Sequence, residues 1–126
     1  MTKFKTKNFN CSFKNARKGM RLVIKSERNI RIHIVIATLV IFMAILLNFR
    51  PVEMCVLFLT IGLVMITEML NTAIEFSLDA IFRNRYSVMV GMAKDISAGA
   101  VMIASFISVI VGLILFGQAI FRLCIN

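Results

Sequence analysis

The sequence predicts an all-α integral membrane protein, in which an N-terminal amphipathic surface helix precedes three transmembrane helices. Three observations carry this. Of 126 residues, 60% are hydrophobic and only 17% are charged, where an ordinary soluble domain is roughly 45–50% apolar. The mean hydropathy is +0.89. Apolar runs long enough to cross a bilayer occur three times, each closed by polar or basic residues. A chain this short has too little interior to hide so much apolar side chain, so a soluble fold is excluded. The composition also excludes a disordered chain and a disulfide framework. A single membrane domain covering residues 1–126 is expected.

Fifteen Lys and Arg against six Asp and Glu give a formal charge of +9. In a soluble chain this would suggest nucleic acid. In a membrane chain, cytoplasmic loops and anionic lipid surfaces account for it, and no nucleic-acid partner is expected. Cys11, Cys55 and Cys124 are odd in number and far apart. They read as small apolar residues, with neither disulfide nor metal-ligand spacing.

Residues 1–10 are short, basic and polar, and are expected to fray. They lack the apolar core and cleavage site of a signal peptide. Residues 11–28 form the surface helix. Phe13, Ala16, Met20, Val23 and Ile24 recur at three- and four-residue steps on one face, and Lys14, Arg17, Lys18, Arg21 and Lys25 hold the other. Such a helix lies in the interface with its cations toward lipid phosphates.

The first span covers 30–48. Pro51 ends it, because proline cannot donate the helical hydrogen bond. The second covers 52–81, apolar to Ile66 and then marked by polar residues on one face. A polar turn is expected over 84–91. The third span covers 94–121, and Arg122 closes it.

Ten of the fifteen cations lie before residue 32, and Arg83, Arg85 and Lys94 lie between the second and third spans. The amino terminus and that second loop are therefore expected in the cytoplasm. The turn at 48–53 and the carboxyl terminus are expected outside.

The acids are Glu27, Glu53, Glu68, Glu75, Asp79 and Asp95. Glu53 reads as a solvated charge of the outer turn. The other five fall near the cytoplasmic side, where an ionisable group in the membrane needs a partner or a purpose. Glu68, Asn71, Glu75 and Asp79 fall within about 80° of one another on a helix, on a stripe about 16 Å long. Three carboxylates on one stripe repel unless protons or cations neutralise them. Magnesium takes a few carboxylate oxygens together with substrate phosphates. From spacing alone, a metal and nucleotide site competes evenly with polar glue between helices or a transporter's proton carboxylate. Lys94 can contact phosphate as a compact charge. Asp95 near a helix start is also simply favoured by the dipole. No P-loop run is present. His33, the lone histidine, reads as an interfacial or packing residue rather than a base.

Glu68-Met69-Leu70-Asn71-Thr72-Ala73-Ile74-Glu75, then Asp79, then Ala93-Lys94-Asp95 and Ala98-Gly99-Ala100-Val101, resembles the bacterial diacylglycerol kinase family. Upstream, Ala16-Arg17-Lys18-Gly19 and Glu27-Arg28-Asn29-Ile30-Arg31-Ile32-His33 also fit. The second of these is similar to the Gram-positive branch, whose members are undecaprenol kinases. The resemblance covers roughly residues 11–120. It implies a plasma-membrane homotrimer with active sites shared between subunits, which transfers the γ-phosphate of ATP to a lipid hydroxyl with Mg2+. The lipid would be undecaprenol, with diacylglycerol as the alternative. On the matching positions, Glu68 would be the general base, with Asn71 supporting it. Glu27 and Glu75 would hold the metal. Asp79, Lys94 and Asp95 would bind the nucleotide, with Lys94 on phosphate. The chain departs from the pattern in three places. Asn15 replaces an aromatic residue, and the loop from Asp79 to Lys94 is one residue longer. The acidic-aromatic-His element reads Asn84-Arg85-Tyr86-Ser87, which leaves Tyr86 as the nucleotide contact there. The third class of reading is a non-enzymatic proton or cation carrier using Glu68 and Glu75.

Overall fold

The computed structural model describes residues 8–83 and 85–126, and the regular elements in them are four α-helices. These are α1 (Phe9–Ser26), α2 (Arg28–Leu46), α3 (Pro51–Phe82) and α4 (Val88–Ile125). Residues 1–7, expected to fray, and Asn84 of the altered loop lie outside the described residues.

α2, α3 and α4 are each long and apolar enough to cross a membrane. Their 19, 32 and 38 residues correspond to about 28, 48 and 57 Å, against a hydrocarbon core of about 30 Å. α2 just spans. α3 and α4 overshoot, so they tilt or project. If α3 enters hydrocarbon at Pro51, it leaves about 20 residues later, near Asn71. Glu68 then lies just inside the edge, and Glu75 and Asp79 lie beyond it.

α1 and α2 meet at Glu27, whose backbone is extended (φ −109°, ψ 117°). Arg31 holds this junction by donating from Nη1 to the carbonyls of Ile24 (3.2 Å) and Lys25 (2.9 Å). These are orphan carbonyls at the end of α1, where the helix dipole also favours a cation. α1 therefore ends at Ser26, two residues before the boundary expected for the surface helix, and it begins at Phe9.

α2 ends in a Schellman motif. Asn48, at φ 54°, takes the left-handed conformation that asparagine tolerates. Its N–H donates to the Ile45 carbonyl, and that of Phe49 to the Ala44 carbonyl, each at 3.1 Å. Pro51 then occupies the first turn of α3, where a missing N–H costs nothing.

α4 starts at Val88 rather than at 94 and runs to Ile125 rather than 121. Ser87 caps it, accepting the Val90 N–H at 3.2 Å. This local cap extends the helix through Gly91, so the polar connection is shorter than the expected 84–91.

α3 and α4 share the most extensive packing. α2 lies on α3, and α1 touches α2. The apolar core is a cluster of Ala44, Leu57 and Leu115 at the end of the bundle that carries the Asn48 turn. The Phe49 and Phe116 rings pack beside it at 4.9 Å between centroids. α1 buries no residue, and Phe42, Leu59, Phe106 and Leu113 are among many large apolar side chains left exposed on the spans.

Glu53 corrects the reading of a solvated loop charge. It is buried. Its Oε2 accepts the Arg50 backbone N–H at 2.8 Å, closing the start of α3. Arg122 of α4 grips both carboxylate oxygens, Nη1 to Oε1 and Nη2 to Oε2, each at 2.7 Å. The sequence hint was a carboxylate two residues after Pro51, where it faces the free N–H groups of a helix start.

Candidate functional site

The polar stripe of α3 lies at the other end of the bundle, and its members have different partners. Glu68 turns into the seam with α2 and is only 5% exposed. His33 Nε2 of α2 lies 3.4 Å from its Oε1. One turn on, the buried Thr72 donates from Oγ1 to the Glu68 carbonyl at 3.1 Å. That bond uses the hydroxyl locally and leaves the Glu68 carboxylate facing the histidine.

Asn71 faces α4. Ser97 Oγ donates to its Oδ1 at 2.6 Å, and Asn71 Nδ2 in turn donates to Glu75 Oε1 at 3.5 Å. Glu75 is half-buried and held by that one long bond. It therefore keeps oxygen lone pairs available to a hard cation. Further along, Lys94 Nζ of α4 donates to Asp79 Oδ1 at 2.6 Å, with both side chains more than a third exposed. A single surface pair of this kind contributes little stability. It parks a lysine beside the stripe.

Glu27, Asp95 and Tyr86 are not joined to this network among the described residues. Glu27 stands at the α1–α2 junction. Asp95 is exposed on the second turn of α4. Tyr86 is 84% exposed, with its ring laid over Gly91; a Cβ there would come within 3.2 Å of the phenol oxygen. Among the described residues, no three His, Cys, Asp or Glu side chains converge as metal ligands. The donor set that one chain offers is carboxylate oxygen, which suits magnesium rather than a softer metal.

A groove of about 610 Å³ runs along α2, α3 and α4. His33 lines it near the stripe, and Phe116 and Ile120 line it toward the Asn48 turn. Its walls are mostly aliphatic, including Ile36, Val64 and Leu113, with Thr60, Ser105 and Ser108 as the polar exceptions. Ile36, Val109 and Leu113 are each at least half exposed, so the groove opens sideways, toward where lipid chains would lie. An apolar groove that reaches His33, the neighbour of the buried Glu68, can admit an amphiphile with its polar head foremost.

The sequence does not reveal the neighbours of His33 and Ser97. His33, expected as an interfacial or packing residue, lies beside Glu68. Ser97 sits three residues after Lys94, on its helix face, which was the only available hint.

A family model described as prokaryotic diacylglycerol kinase matches residues 14–116. A diacylglycerol kinase of Synechocystis is 41% identical over 105 residues, covering 83% of this chain and 60% of that protein. An undecaprenol kinase of Bacillus subtilis is 36% identical over 105 residues, covering 83% of this chain and 85% of the relative. A diacylglycerol kinase of Escherichia coli is 36% identical over 98 residues, covering 78% and 80%.

Proposed function

The chain belongs to the prokaryotic diacylglycerol kinase family, whose relatives are phosphotransferases with an alcohol acceptor, and on that premise we propose that it phosphorylates undecaprenol from ATP. One observation carries the reading. Buried Glu68 sits near the head of an apolar groove open to the membrane, and the polar line from Asn71 to Lys94 leads away from it to the bundle end.

Phosphoryl transfer needs positioning and charge neutralisation more than covalent chemistry. Glu68 takes the proton of the lipid hydroxyl, and His33 lies beside the carboxylate on the α2 side. The hydroxyl oxygen bonds to the γ-phosphorus, the bond from that phosphorus to the bridging oxygen breaks, and ADP leaves with the electron pair. Lys94 exchanges Asp79 for a nucleotide phosphate. Asp79, Asp95 and Tyr86 complete the nucleotide contacts. Glu75 and Glu27 are the residues that would hold Mg2+, which neutralises phosphate charge when bound. Asn71 keeps Glu75 in place. Glu27 has no partner in its own chain among the described residues, and a homotrimer with sites shared between subunits, which the family resemblance implies, would place it beside a neighbouring subunit's residues. The cation distribution supports a plasma-membrane protein with its amino terminus and site in the cytoplasm, its carboxyl terminus outside, and α1 on the anionic surface.

Undecaprenol is favoured by the Asn29, Arg31 and His33 context, and His33 itself lines the groove. Diacylglycerol is the second reading, because relatives carrying either name match this chain. The test is phosphate transfer from labelled ATP with Mg2+ in mixed micelles, offering each lipid separately and using Glu75→Gln as control. Label in undecaprenol is expected. Label in diacylglycerol alone reverses the substrate. Label in neither lipid, with Glu75-dependent proton flux in liposomes, replaces the kinase by a carrier.

A further inference from the structure

Ser97 of α4 is buried, at 7% exposure, and nothing in the transfer step above uses it. Its hydroxyl proton has two acceptors within reach, Asn71 Oδ1 at 2.6 Å and the Lys94 carbonyl at 2.9 Å. A helical serine satisfies itself with a carbonyl of its own helix by default. Here the shorter contact crosses to α3. It is short even for a hydroxyl donor, whereas the contact from Asn71 to Glu75, at 3.5 Å, is longer than the usual N–H···O range of about 2.7–3.2 Å. The weaker bond cannot hold the amide by itself. The strong anchor is Ser97: it engages Oδ1, and Nδ2 is left for the carboxylate, which can only accept. The reversed amide would set two acceptors against each other.

We infer that Ser97 is a positioning residue for metal binding: it acts through Asn71 to hold the Glu75 carboxylate in its metal-binding orientation. Ser97 also shares a helical turn with Lys94. One hydroxyl thus ties the metal-holding face of α3 to the phosphate-binding turn of α4. The inference rests on Glu75 as a metal ligand. Partners that orient a metal ligand typically set affinity or activity by about 10- to 100-fold.

The test uses the full chain in micelles, with Mn2+ titrated by electron paramagnetic resonance in the presence of a non-hydrolysable ATP analogue. Ser97→Ala removes one oxygen and should fold normally. It is expected to weaken Mn2+ binding about tenfold. In turnover, its apparent Mg2+ requirement should rise while the KM for lipid stays unchanged. Ser97→Thr retains the hydroxyl and should restore Mn2+ affinity. In an Asn71→Ala background, Ser97→Ala should add nothing further, because the two act in series. Unchanged Mn2+ affinity in Ser97→Ala overturns the inference. So does an additive loss in the Asn71→Ala background, or a loss spread equally over metal, nucleotide and lipid. Glu75→Gln separates the two levels. If that variant binds Mn2+ like the parent, the metal assignment falls and this inference falls with it. If it does not bind and Ser97→Ala binds normally, only this inference falls.

Discussion

The two ends of the bundle treat charge in opposite ways. At the Asn48 turn, Glu53 is buried and saturated: one backbone N–H and a two-pronged guanidinium take up its oxygens. The apolar cluster of Ala44, Leu57 and Leu115, with the Phe49 and Phe116 rings, packs at the same end. At the Arg83 loop, Glu68 has a single histidine contact at 3.4 Å, Glu75 a single long amide bond, and Asp79 a half-buried lysine. Short, complete bonding at the first end stabilises the fold. Long or exchangeable bonding at the second leaves carboxylate oxygens available to a cation or a proton, and leaves Lys94 able to part from Asp79. Partner geometry separates a sealed acid from an available one where residue type alone does not.

The sharpest way to break this contrast is to neutralise acids at the loop end. Glu75→Gln and Glu68→Gln should each reduce phosphate transfer by about a thousandfold or more. The thermal unfolding midpoint should barely move, and Glu68→Gln should still bind ATP. Normal turnover in either variant removes that residue from the site. Glu53→Gln should do the reverse, costing about 2 kcal/mol of stability because it leaves Arg122 unpaired. The specific activity of its folded fraction should stay near that of the parent. A Glu53→Gln protein with an unaltered midpoint would make the turn end as loosely held as the other.

Finer effects sharpen the division within the loop end. His33→Leu should slow turnover about tenfold without changing the ATP requirement, since His33 touches Glu68 and not the nucleotide residues. A raised ATP requirement in that variant would move His33 out of its place beside the base. Lys94→Ala should raise the apparent KM for ATP about fivefold, the smallest effect, because a partly solvated lysine is a screened point charge. Unchanged ATP dependence would leave Lys94 as no more than the partner of Asp79.

Much of the fold was legible because each signal is local. Apolar runs, Pro51 as a stop and the cation asymmetry need no knowledge of neighbours. The boundaries that moved were set by caps. Ser87 starts α4 at Val88, and Arg31 draws the end of α1 back to Ser26. The carboxylate stripe was legible too, since spacing along one helix fixes which residues share a face. The parts played by Glu53, His33 and Ser97 were not legible. Each depends on a residue of another helix, 69 positions away for Glu53 and Arg122 and 26 for Asn71 and Ser97.

The sequence by itself therefore determined three spans, a basic amino-terminal side and a line of acids on one helix, because hydropathy and the 3.6-residue period act over neighbouring residues. The tertiary structure decided which acid is sealed and which is left available. That outcome follows from how the helices rotate and cross against each other, which brings Arg122 onto Glu53, His33 onto Glu68 and Ser97 onto Asn71.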